Sequence, residues 1–373
     1  MRILLDCRMA SWTGVGRYSV GLARALAARD DVDLVLAVAA GETSPVPGAE
    51  AHVARRNPFS PAGAFELGRI ARAVAPDVTH CLHFPTPFPA PHPLVVTLHD
   101  ISPLMVPGLM PSVAKRAVYR RQIARAVRVA DRIVTDATFT VGELARVFPR
   151  AAGRIESIPI AADDFSAGER EPLPPQLAVL ASGPYVLSMG STRSHKDLPT
   201  LLAAFARLAP ARPNLRLLLV GHDVPGYLAR NLPAETPAAV RDRVAFTGRV
   251  TDGQLRALYA GAAVFAFPSR YEGFGLPPLE AMALGAPVVV AHAASLPEVV
   301  GDAALLAPPG DPVALAHGIE RILGDQSLRE RLVAAGTARA AQLTWAATAD
   351  ATARVYREVM HSDPSRPESG TRS

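Results

Sequence analysis

Short apolar runs alternate with amphipathic stretches over the first 165 residues of the chain. The runs are rich in Val, Ile and Leu and occupy residues 2–6, 32–38, 78–83, 94–98 and 132–135. Residues 14–28 and 62–75 lie between runs and have apolar positions at helical spacing, which predicts amphipathic helices. Continuous apolar strands that alternate with helices are typical of a parallel sheet covered by helices on both faces.

The pattern breaks after Asp164 and then restarts. Residues 166–184 are rich in Pro, Gly, Ala and charged residues, a composition that predicts a linker. A second set of apolar runs occupies residues 185–189, 215–220, 244–246, 264–267 and 287–290. The predicted organisation is a first α/β domain over 1–165, a linker over 166–184, a second α/β domain over 185–344, a final helix over 345–360 and a tail over 361–373. The tail has no periodic apolar face, so we predict that it is disordered.

Two parallel sheets in tandem also predict where a ligand binds. Ligands of such sheets bind at the carboxyl ends of the strands. Two doubly wound sheets that face each other would therefore place a site in the cleft between them.

Length and composition agree with this organisation. The chain has 373 residues, which exceeds what one hydrophobic core usually spans. Apolar residues make up 49% and charged residues 20%, values typical of a globular protein. The formal net charge of +5 fits a partner that carries phosphates or an anionic membrane surface, although a small basic excess is also common on protein surfaces in general.

The cysteines, the N-terminus and the apolar runs bear on where in the cell the protein is located. Cys7 and Cys81 lie at apolar runs and are expected to be small buried hydrophobic residues, because two thiols form no disulfide framework and lack metal-site spacing. Asp6 follows the first apolar residues too soon for a signal peptide. The sequence has no run of about 18 apolar residues, so we predict no transmembrane helix and a cytoplasmic location.

Residues 268–283 carry the most specific pattern in the chain, a strand end followed by a glycine-bearing loop and a helix. Gly273 and Gly275 allow the backbone to turn tightly and to approach a ligand closely. Pro277 suits the first helical position. Amides at a helix start can hold a phosphate, and the prolines here have no N–H. The amides predicted to do so are those of Gly275, Leu276 and Leu279.

Two carboxylates, Glu272 and Glu280, flank this loop. A carboxylate accepts two hydroxyl hydrogen bonds at once, as is common where proteins hold sugar rings and riboses. The alternative is that acidic residues here merely stabilise a helix N-terminus. The combination of Gly, Phe, Gly and both acids favours the ligand-binding interpretation.

The string E-G-F-G-L-P-P-L-E-A-M-A, which begins at Glu272, resembles the signature of the retaining glycosyltransferase family four, whose fold is called GT-B. Further landmarks of that family are matched in order at residues 14–18, 98–100, 157–160, 248–250 and 297–302. The resemblance covers nearly the whole chain. It implies an acceptor-side first domain, a donor-binding second domain, and a final helix (345–360) that crosses back to the first domain.

The resemblance also implies residue roles. Glu280 resembles the glutamate that binds the donor ribose, and Glu272 the one that holds hydroxyls of the transferred sugar. His99 is similar to a histidine near the reacting carbon, although a histidine after a strand is often structural. Lys196 matches a lysine that contacts the diphosphate, where a cation offsets the charge of the leaving group. A solvated surface lysine is the alternative.

The segment around Lys196 departs from the family pattern. His195 precedes it where relatives often have Arg, and Ser191 stands where Arg often follows the glycine. Arg193 is the substitute cation in our interpretation. The resemblance implies that helix amides and cations do the work of a divalent metal, and no Asp-x-Asp stands at a strand end of the donor region.

The remaining site predictions rest on weaker patterns. Gly14 and Gly16 are expected to let a loop pass close to the donor phosphate or the acceptor. Arg17 and Tyr18 line the acceptor side in one interpretation and simply start a helix in the other. Val250 marks the segment expected to recognise the base through its backbone.

The predicted site thus has two sets of residues. The catalytic set is His99, Glu272 and Lys196. The donor-binding set is Arg193, Lys196, Val250, Gly273, Phe274, Gly275, Leu276, Glu280, Gly14 and Gly16.

Residues 112–132 form a basic stretch. On a helical wheel Arg121, Arg125, Arg128 and Arg132 share one stripe. Such a helix can rest on an anionic membrane, and it can equally be a core helix with a solvated charged face.

The function predicted is transfer of a hexose, with retention at the anomeric carbon, from a nucleotide sugar to a glycan or lipid-linked acceptor of a surface polysaccharide or glycolipid. The resemblance to mannosyltransferase-like members favours mannose from GDP-mannose. We expect no cofactor beyond the donor, no metal and no nucleic-acid partner. The alternatives are a nucleotide-sugar epimerase, a sugar phosphorylase or a non-catalytic sugar-binding scaffold on the same fold.

Overall fold

A computed structural model describes residues 1–12 and 14–361 of the chain. The chain divides into two compact units. The first comprises Met1–Leu104, Met110–Ile160 and the C-terminal segment from Trp345, and the second comprises Met105–Leu109 and Ala161–Thr344. The predicted tail lies outside the described residues except for His361, which is the last residue of a helix.

The first unit is built on a parallel sheet. Within its described residues the strands are β1 (Arg2–Asp6), β2 (Asp33–Ala39), β3 (Glu50–Ala54), β4 (Val78–Cys81), β5 (Leu94–Thr97), β6 (Arg132–Thr135) and β7 (Ile155–Ser157). Their spatial order is β3-β2-β1-β4-β5-β6-β7. The order reverses between β1 and β4, where Ile3 pairs with Val78 in parallel register. The crossovers make this a doubly wound, Rossmann-like unit.

The second unit repeats this plan. In the part that the structure describes, its strands are β8 (Tyr185–Met189), β9 (Arg216–Val220), β10 (Val244–Phe246), β11 (Val264–Phe267), β12 (Val288–Ala291) and β13 (Ala304–Ala307). All pairs are parallel, in the order β10-β9-β8-β11-β12-β13. The predicted fold class, two doubly wound α/β units, is confirmed.

Helices cover the sheets because their apolar stripes face the strands. In chain order they are α1 (Gly14–Ala27), α2 (Pro61–Val74), α3 (Ser102–Met105), α4 (Val113–Val129), α5 (Thr138–Val147), α6 (Asp163–Ser166), α7 (Pro175–Leu180), α8 (Leu198–Leu208), α9 (Tyr227–Asn231), α10 (Ala238–Arg241), α11 (Asp252–Gly261), α12 (Leu276–Ala283), α13 (Leu296–Val300), α14 (Pro312–Gly324), α15 (Gln326–Ala341) and α16 (Trp345–His361). In α8, Leu201 and Phe205 are fully buried in the core of the second unit. None of the described helices combines the length and apolarity that a bilayer span requires.

The segment predicted as a linker is packed onto the second unit. The Arg256 guanidinium lies 4.8 Å from the centre of the Phe165 ring and donates to the carbonyl oxygen of Glu169 at 3.0 Å. Thr251 donates to the Glu171 carboxylate at 2.5 Å. Sequence composition missed this packing because a segment rich in Pro and Gly can also be held by partners far along the chain.

Three edge strands, β3, β7 and β13, lie outside the predicted apolar runs. β7 includes Glu156 and is half-buried along its length. β3 contains Glu50 and His52 and is half exposed, and β13 has an exposed Leu306. An edge strand faces solvent on one side, so its sequence need not be a continuous apolar run.

The final helix, α16, packs against α1 within the first unit. A Cβ on Gly21 would lie 2.2 Å from the Trp345 ring, so only glycine admits the tryptophan at this crossing. Thr348 donates to the carbonyl oxygen of Pro159 at 2.8 Å.

Candidate active site

The two loops predicted to bind the donor follow neighbouring strands of the second unit. β8 leads into residues 190–197 and β11 into residues 268–275, and these two strands pair where the strand order reverses. Carboxyl ends of strands at such a reversal form the crevice in which doubly wound sheets bind ligands. The sequence therefore folds both motifs onto the same edge.

Hydrogen bonds join these two loops into one surface. The carbonyl oxygen of His195 accepts from the Ser269 hydroxyl at 3.1 Å and from the Arg270 amide at 2.7 Å. The Arg270 guanidinium donates to Asp197 at 2.7 Å, and Thr200 donates to the same carboxylate oxygen at 2.8 Å. Sequence reasoning missed this set, since the bonds that join the two loops span more than 70 positions.

Lys196 and Glu272 form an ion pair on that surface. The ammonium nitrogen lies 2.6 Å from a carboxylate oxygen, with side-chain exposures of 21% and 14%. The same nitrogen lies 5.5 Å from the centre of the Phe267 ring. A partly buried pair that still reaches solvent can exchange its internal contact for contacts to an anionic, hydroxylated ligand.

The buried Ser295 holds the loop formed by residues 272–275. The hydroxyl of this fully buried serine lies 2.9 Å from the carbonyl oxygen of Glu272 and 2.6 Å from that of Phe274. Gly275 has a φ of 114°, and a Cβ there would lie 2.7 Å from Leu296, so the position requires glycine. Gly273 and Phe274 are buried, whereas Leu276 begins α12 half-buried.

Glu280 lies on the first turns of α12 and is only 3% exposed. Its carboxylate accepts a hydrogen bond from the Tyr259 hydroxyl at 3.1 Å. Gly275, which caps α12, offers no side-chain hydrogen bond to the helix amides. The start of α12 thus combines backbone amides with a buried, oriented carboxylate.

Arg193 lies in the loop after β8, and Val250 lies after β10 in the same unit. The Arg193 side chain is exposed, and its carbonyl oxygen accepts from the Lys196 amide at 2.9 Å. Val250 precedes Thr251, which caps α11 through a reciprocal capping box with Gln254. Among the described residues of the chain, no group of three or more His, Cys, Asp and Glu side chains is arranged to hold a metal ion.

In the first unit, His99 follows β5 and is held at both ring nitrogens. Nδ1 lies 2.7 Å from the Asp136 carboxylate and Nε2 lies 3.0 Å from the carbonyl oxygen of Leu82. Both partners can only accept while Asp136 is ionised, so both nitrogens must carry protons for both bonds to form. The geometry is that of an imidazolium facing a carboxylate.

The charges around His99 favour the same state. Burial lowers the pKa of His99, but the charge and hydrogen bond of Asp136, aided by Asp100 and the Leu82 carbonyl, outweigh burial and raise the pKa above 6.5. His83, whose ring centre is 5.9 Å away, has its pKa lowered to about 3 by burial and by the charge of His99. The pKa values of these two neighbouring histidines are therefore shifted in opposite directions, so His83 loses its proton at a lower pH than His99.

We expect Asp136→Asn to lower the pKa of His99 and to destabilise the protein near pH 6. A folded-state pKa that is raised contributes stability that is complete below about pH 6.5, the unfolded value, and is lost as pH rises through the folded value. Without the carboxylate, burial dominates, and the loss near pH 6 should be about 1–3 kcal/mol. Thermal unfolding across pH and an NMR titration of the imidazole measure both effects.

Asp131→Asn is the matched control, because Asp131 contacts His92 at 2.9 Å on the protein surface. Exposed pairs contribute little. An Asp136→Asn protein whose stability varies with pH as in the wild type would contradict the assignment.

Residues 14–18, the glycine loop of the first unit, differ in how far they are exposed to solvent. Gly16 is buried, and a Cβ there would lie 2.4 Å from the carbonyl oxygen of Ala10, whereas Gly14 is exposed with open space around it. Arg17 is half-buried. Tyr18 is 1% exposed, bonds Thr97 through its hydroxyl at 3.1 Å and packs edge-on against His99. At that depth the Tyr18 side chain does not itself line a surface.

The predicted basic stripe is divided among several environments. Arg121 and Arg128 are exposed on α4, but Arg132 lies in β6. Arg125 is half-buried and donates to the carbonyl oxygens of Thr86 and Pro87. The stripe is therefore not one continuous solvated face.

The fold and these strand-end groups define a two-unit glycosyltransferase. Residues 12–164 match the family model described as Glycosyltransferase Family 4, and residues 169–339 match the model described as Glycosyl transferases group 1. The chain belongs to glycosyltransferase family 4 and has the GT-B fold.

Individual relatives extend this picture. The chain is 34% identical over 369 residues to O-antigen chain mannosyltransferase B of Escherichia coli, covering 92% of this chain and 96% of the relative. It is 32% identical to the serotype-specific mannosyltransferase WbdA of Escherichia coli over 66% of this chain and 29% of that longer protein. Sucrose-phosphate synthase from Thermosynechococcus elongatus has a similar structure, with a TM-score of 0.77, 23% identity and coverage of 97% and 100%.

Proposed function

We propose that the protein is a retaining mannosyltransferase that uses GDP-mannose and extends a glycan or lipid-linked acceptor of a surface polysaccharide. The observation that carries the proposal is the Lys196–Glu272 pair, 2.6 Å apart, beside the start of α12 and the buried Glu280. One small surface thus offers a cation for a diphosphate and two carboxylates for hydroxyls. The similarity to O-antigen chain mannosyltransferase B supports the choice of sugar and of acceptor class.

The proposed donor contacts follow from the chemistry of each group. Lys196 and the amides at the start of α12 bind the diphosphate and stabilise the charge that develops as it leaves. Glu280, fixed by Tyr259, accepts the ribose hydroxyls. Glu272 turns from Lys196 to hydroxyls of the hexose. Cations and amides in these positions can offset the diphosphate charge without a divalent metal.

The proposed bond changes retain the anomeric configuration. The bond from the anomeric carbon to the phosphate oxygen breaks, and the acceptor oxygen forms its bond on the same face. The acceptor proton passes to the leaving phosphate oxygen. Both ring nitrogens of His99 are engaged within the first unit, so we assign it a fixed positive charge rather than a proton transfer.

A thermal-shift panel tests the donor. GDP-mannose should raise the melting temperature more than UDP-glucose, UDP-galactose or ADP-glucose, because only ligands bound by the native state stabilise it. NMR of the product formed from GDP-mannose and an acceptor glycan should show the donor's anomeric configuration. An inverted product would overturn retention, and stabilisation by another nucleotide sugar alone would overturn the donor assignment.

The first half of α4 supports a peripheral contact with anionic membrane as part of this function. Val113 and Val118 are 76% and 54% exposed, and Lys115, Arg116 and Arg120 are exposed around them. Exposed apolar side chains among cations are typical of helices that lie on anionic lipid.

We therefore expect the protein to sediment with phosphatidylglycerol vesicles and not with phosphatidylcholine vesicles, and less so as salt rises. The double variant Lys115→Glu, Arg116→Glu should lose this binding. A matched double variant on exposed positions of α15, Arg329→Glu and Arg331→Glu, should retain it. Equal sedimentation of both variants would contradict the contact.

A further inference from the structure

Aromatic side chains line the carboxyl edge of the first sheet. Trp12 follows β1, Phe59 follows β3, His83 and Phe84 follow β4, and His99 follows β5. Neighbouring ring centres are 5.4 Å apart for Trp12 and Phe59, 5.3 Å for Phe59 and Phe84, 4.3 Å for Phe84 and His83, and 5.9 Å for His83 and His99. We call these five side chains the aromatic row.

Exposure changes along the aromatic row. Trp12 is 48% exposed, Phe59 is half-buried and Phe84 is 6% exposed. The outer rings are therefore partly exposed to solvent, while the inner ring is buried and packs against Phe59. Exposed large aromatic side chains on a buried base are typical of a binding surface rather than of a core edge.

Phe59 sits on a loop that is ordered by its own hydrogen bonds. The Asn57 side chain accepts from the Phe59 amide at 2.9 Å, and the Ser60 hydroxyl caps α2 by accepting from Gly63 at 3.0 Å. The buried Arg8, paired with Asp6 at 2.7 Å, donates to the carbonyl oxygen of Gly63 at 3.0 Å. A ring held in this way loses little conformational freedom when a ligand stacks on it.

His83 adds a polar group to the aromatic row. Its Nδ1 is buried and, among the residues that the structure describes, has no hydrogen-bond partner. Burial lowers the pKa of His83 to about 3, so the ring is neutral and can offer a lone pair or an N–H. Buried polar atoms are normally satisfied, so a turn of this ring toward a ligand hydroxyl would supply the missing partner.

We propose that the aromatic row is the subsite for the acceptor sugar, in which a hexose ring stacks on Trp12 and Phe59 and one of its hydroxyls bonds His83. This inference rests on the proposed function and names the part of the acceptor that is recognised. A hexose ring presents weakly positive C–H groups on its faces, which suit the negative faces of aromatic rings, and hydroxyls around its rim. A lipid chain would leave His83 unsatisfied.

Tryptophan fluorescence tests the subsite directly. The chain has two tryptophans, and Trp345 is only 5% exposed, so a change on adding a sugar reports on Trp12. The probes are a mannose disaccharide and 1-octanol. We expect a saturable change with the disaccharide that is absent in Trp12→Phe. A saturable change with octanol and none with the disaccharide would overturn the inference.

Kinetics separate this subsite from the donor site. Phe59→Leu should raise the KM for a mannose-oligosaccharide acceptor about threefold to tenfold, as expected for loss of one aromatic stacking contact. Binding of GDP should stay unchanged in calorimetry. Phe65→Leu is the matched control, because Phe65 is also exposed, at 56%, but packs on Phe88 outside the aromatic row.

His83→Asn should raise the same KM while leaving GDP binding intact. Equal acceptor KM values for Phe59→Leu and Phe65→Leu would overturn the subsite while leaving the proposed function in place. A wild-type protein that neither binds GDP nor transfers mannose would instead overturn the proposed function.

Discussion

Lys196→Ala is expected to lower the rate of transfer about 30-fold to 1,000-fold while binding of the free nucleoside stays nearly unchanged. The ammonium group lies where charge develops on the leaving diphosphate, and loss of one preorganised donor of this kind costs about 2–4 kcal/mol of barrier. Steady-state rates with GDP-mannose and calorimetry with guanosine measure the two effects separately.

The other lysine of the chain, Lys115, provides a matched control for this substitution. Lys196 and Lys115 are its only lysines among 39 basic residues. Lys115→Ala, on the exposed face of α4, should transfer sugar normally in an assay without membrane. Lys196→Arg should recover only part of the rate, since a planar guanidinium does not reproduce a compact ammonium paired with Glu272 at 2.6 Å. Wild-type turnover in a folded Lys196→Ala protein would assign Lys196 to the solvated surface.

Substitutions of Glu272 and Glu280 should affect different ligands. Glu280→Gln is expected to weaken binding of both GDP-mannose and bare GDP by about 1.5–3 kcal/mol, because a hydrogen bond to a charged acceptor is lost in each complex. Glu272→Gln should damage transfer without weakening GDP. The ion pair also predicts the sign of any change in GDP affinity. Removing the Glu272 carboxylate frees Lys196 for the diphosphate, so Glu272→Gln should bind GDP as well as the wild type or more tightly.

Calorimetry with GDP and with GDP-mannose on both variants measures these differences. Tyr259→Phe is a useful companion, since it removes the hydroxyl that orients Glu280 and retains the carboxylate. It should weaken GDP less than Glu280→Gln does. If both glutamate variants fold and bind GDP equally well, the ribose role of Glu280 is wrong. If both also transfer at the wild-type rate, the motif is structural.

Most strands and helices that position the site could be predicted from local pattern. The runs before Gly190 and Pro268 are almost entirely apolar because β8 and β11 are buried on both faces, so both strands could be predicted from the sequence. The motif from Glu272 to Glu280 could be assigned to a strand-loop-helix unit because glycine and proline restrict the local backbone. Edge strands such as β3 escaped this reasoning, since half of their surface faces solvent.

The predicted linker shows that tertiary contacts could not be predicted from composition. Residues 166–184 have the composition of a flexible segment, and nothing local reveals that Arg256 holds the carbonyl oxygens of Phe165 and Glu169. Arg256 lies 91 and 87 positions from these two residues, so the contact depends on where α11 packs in the second unit. Composition describes the conformational preference of an isolated segment. Whether the segment is ordered in the folded protein depends on its tertiary contacts.

The sequence by itself determined the two doubly wound units and the strand ends that Lys196, Glu272 and His99 follow. These properties follow from periodicity and from motifs within about 20 residues, which local backbone preferences encode. Only the tertiary structure decided which groups meet: Lys196 with Glu272, His99 with Asp136, and Trp12 with Phe59. Such pairs join residues far apart in the chain, so they depend on strand order and register, and these are set by the packing of the whole sheet.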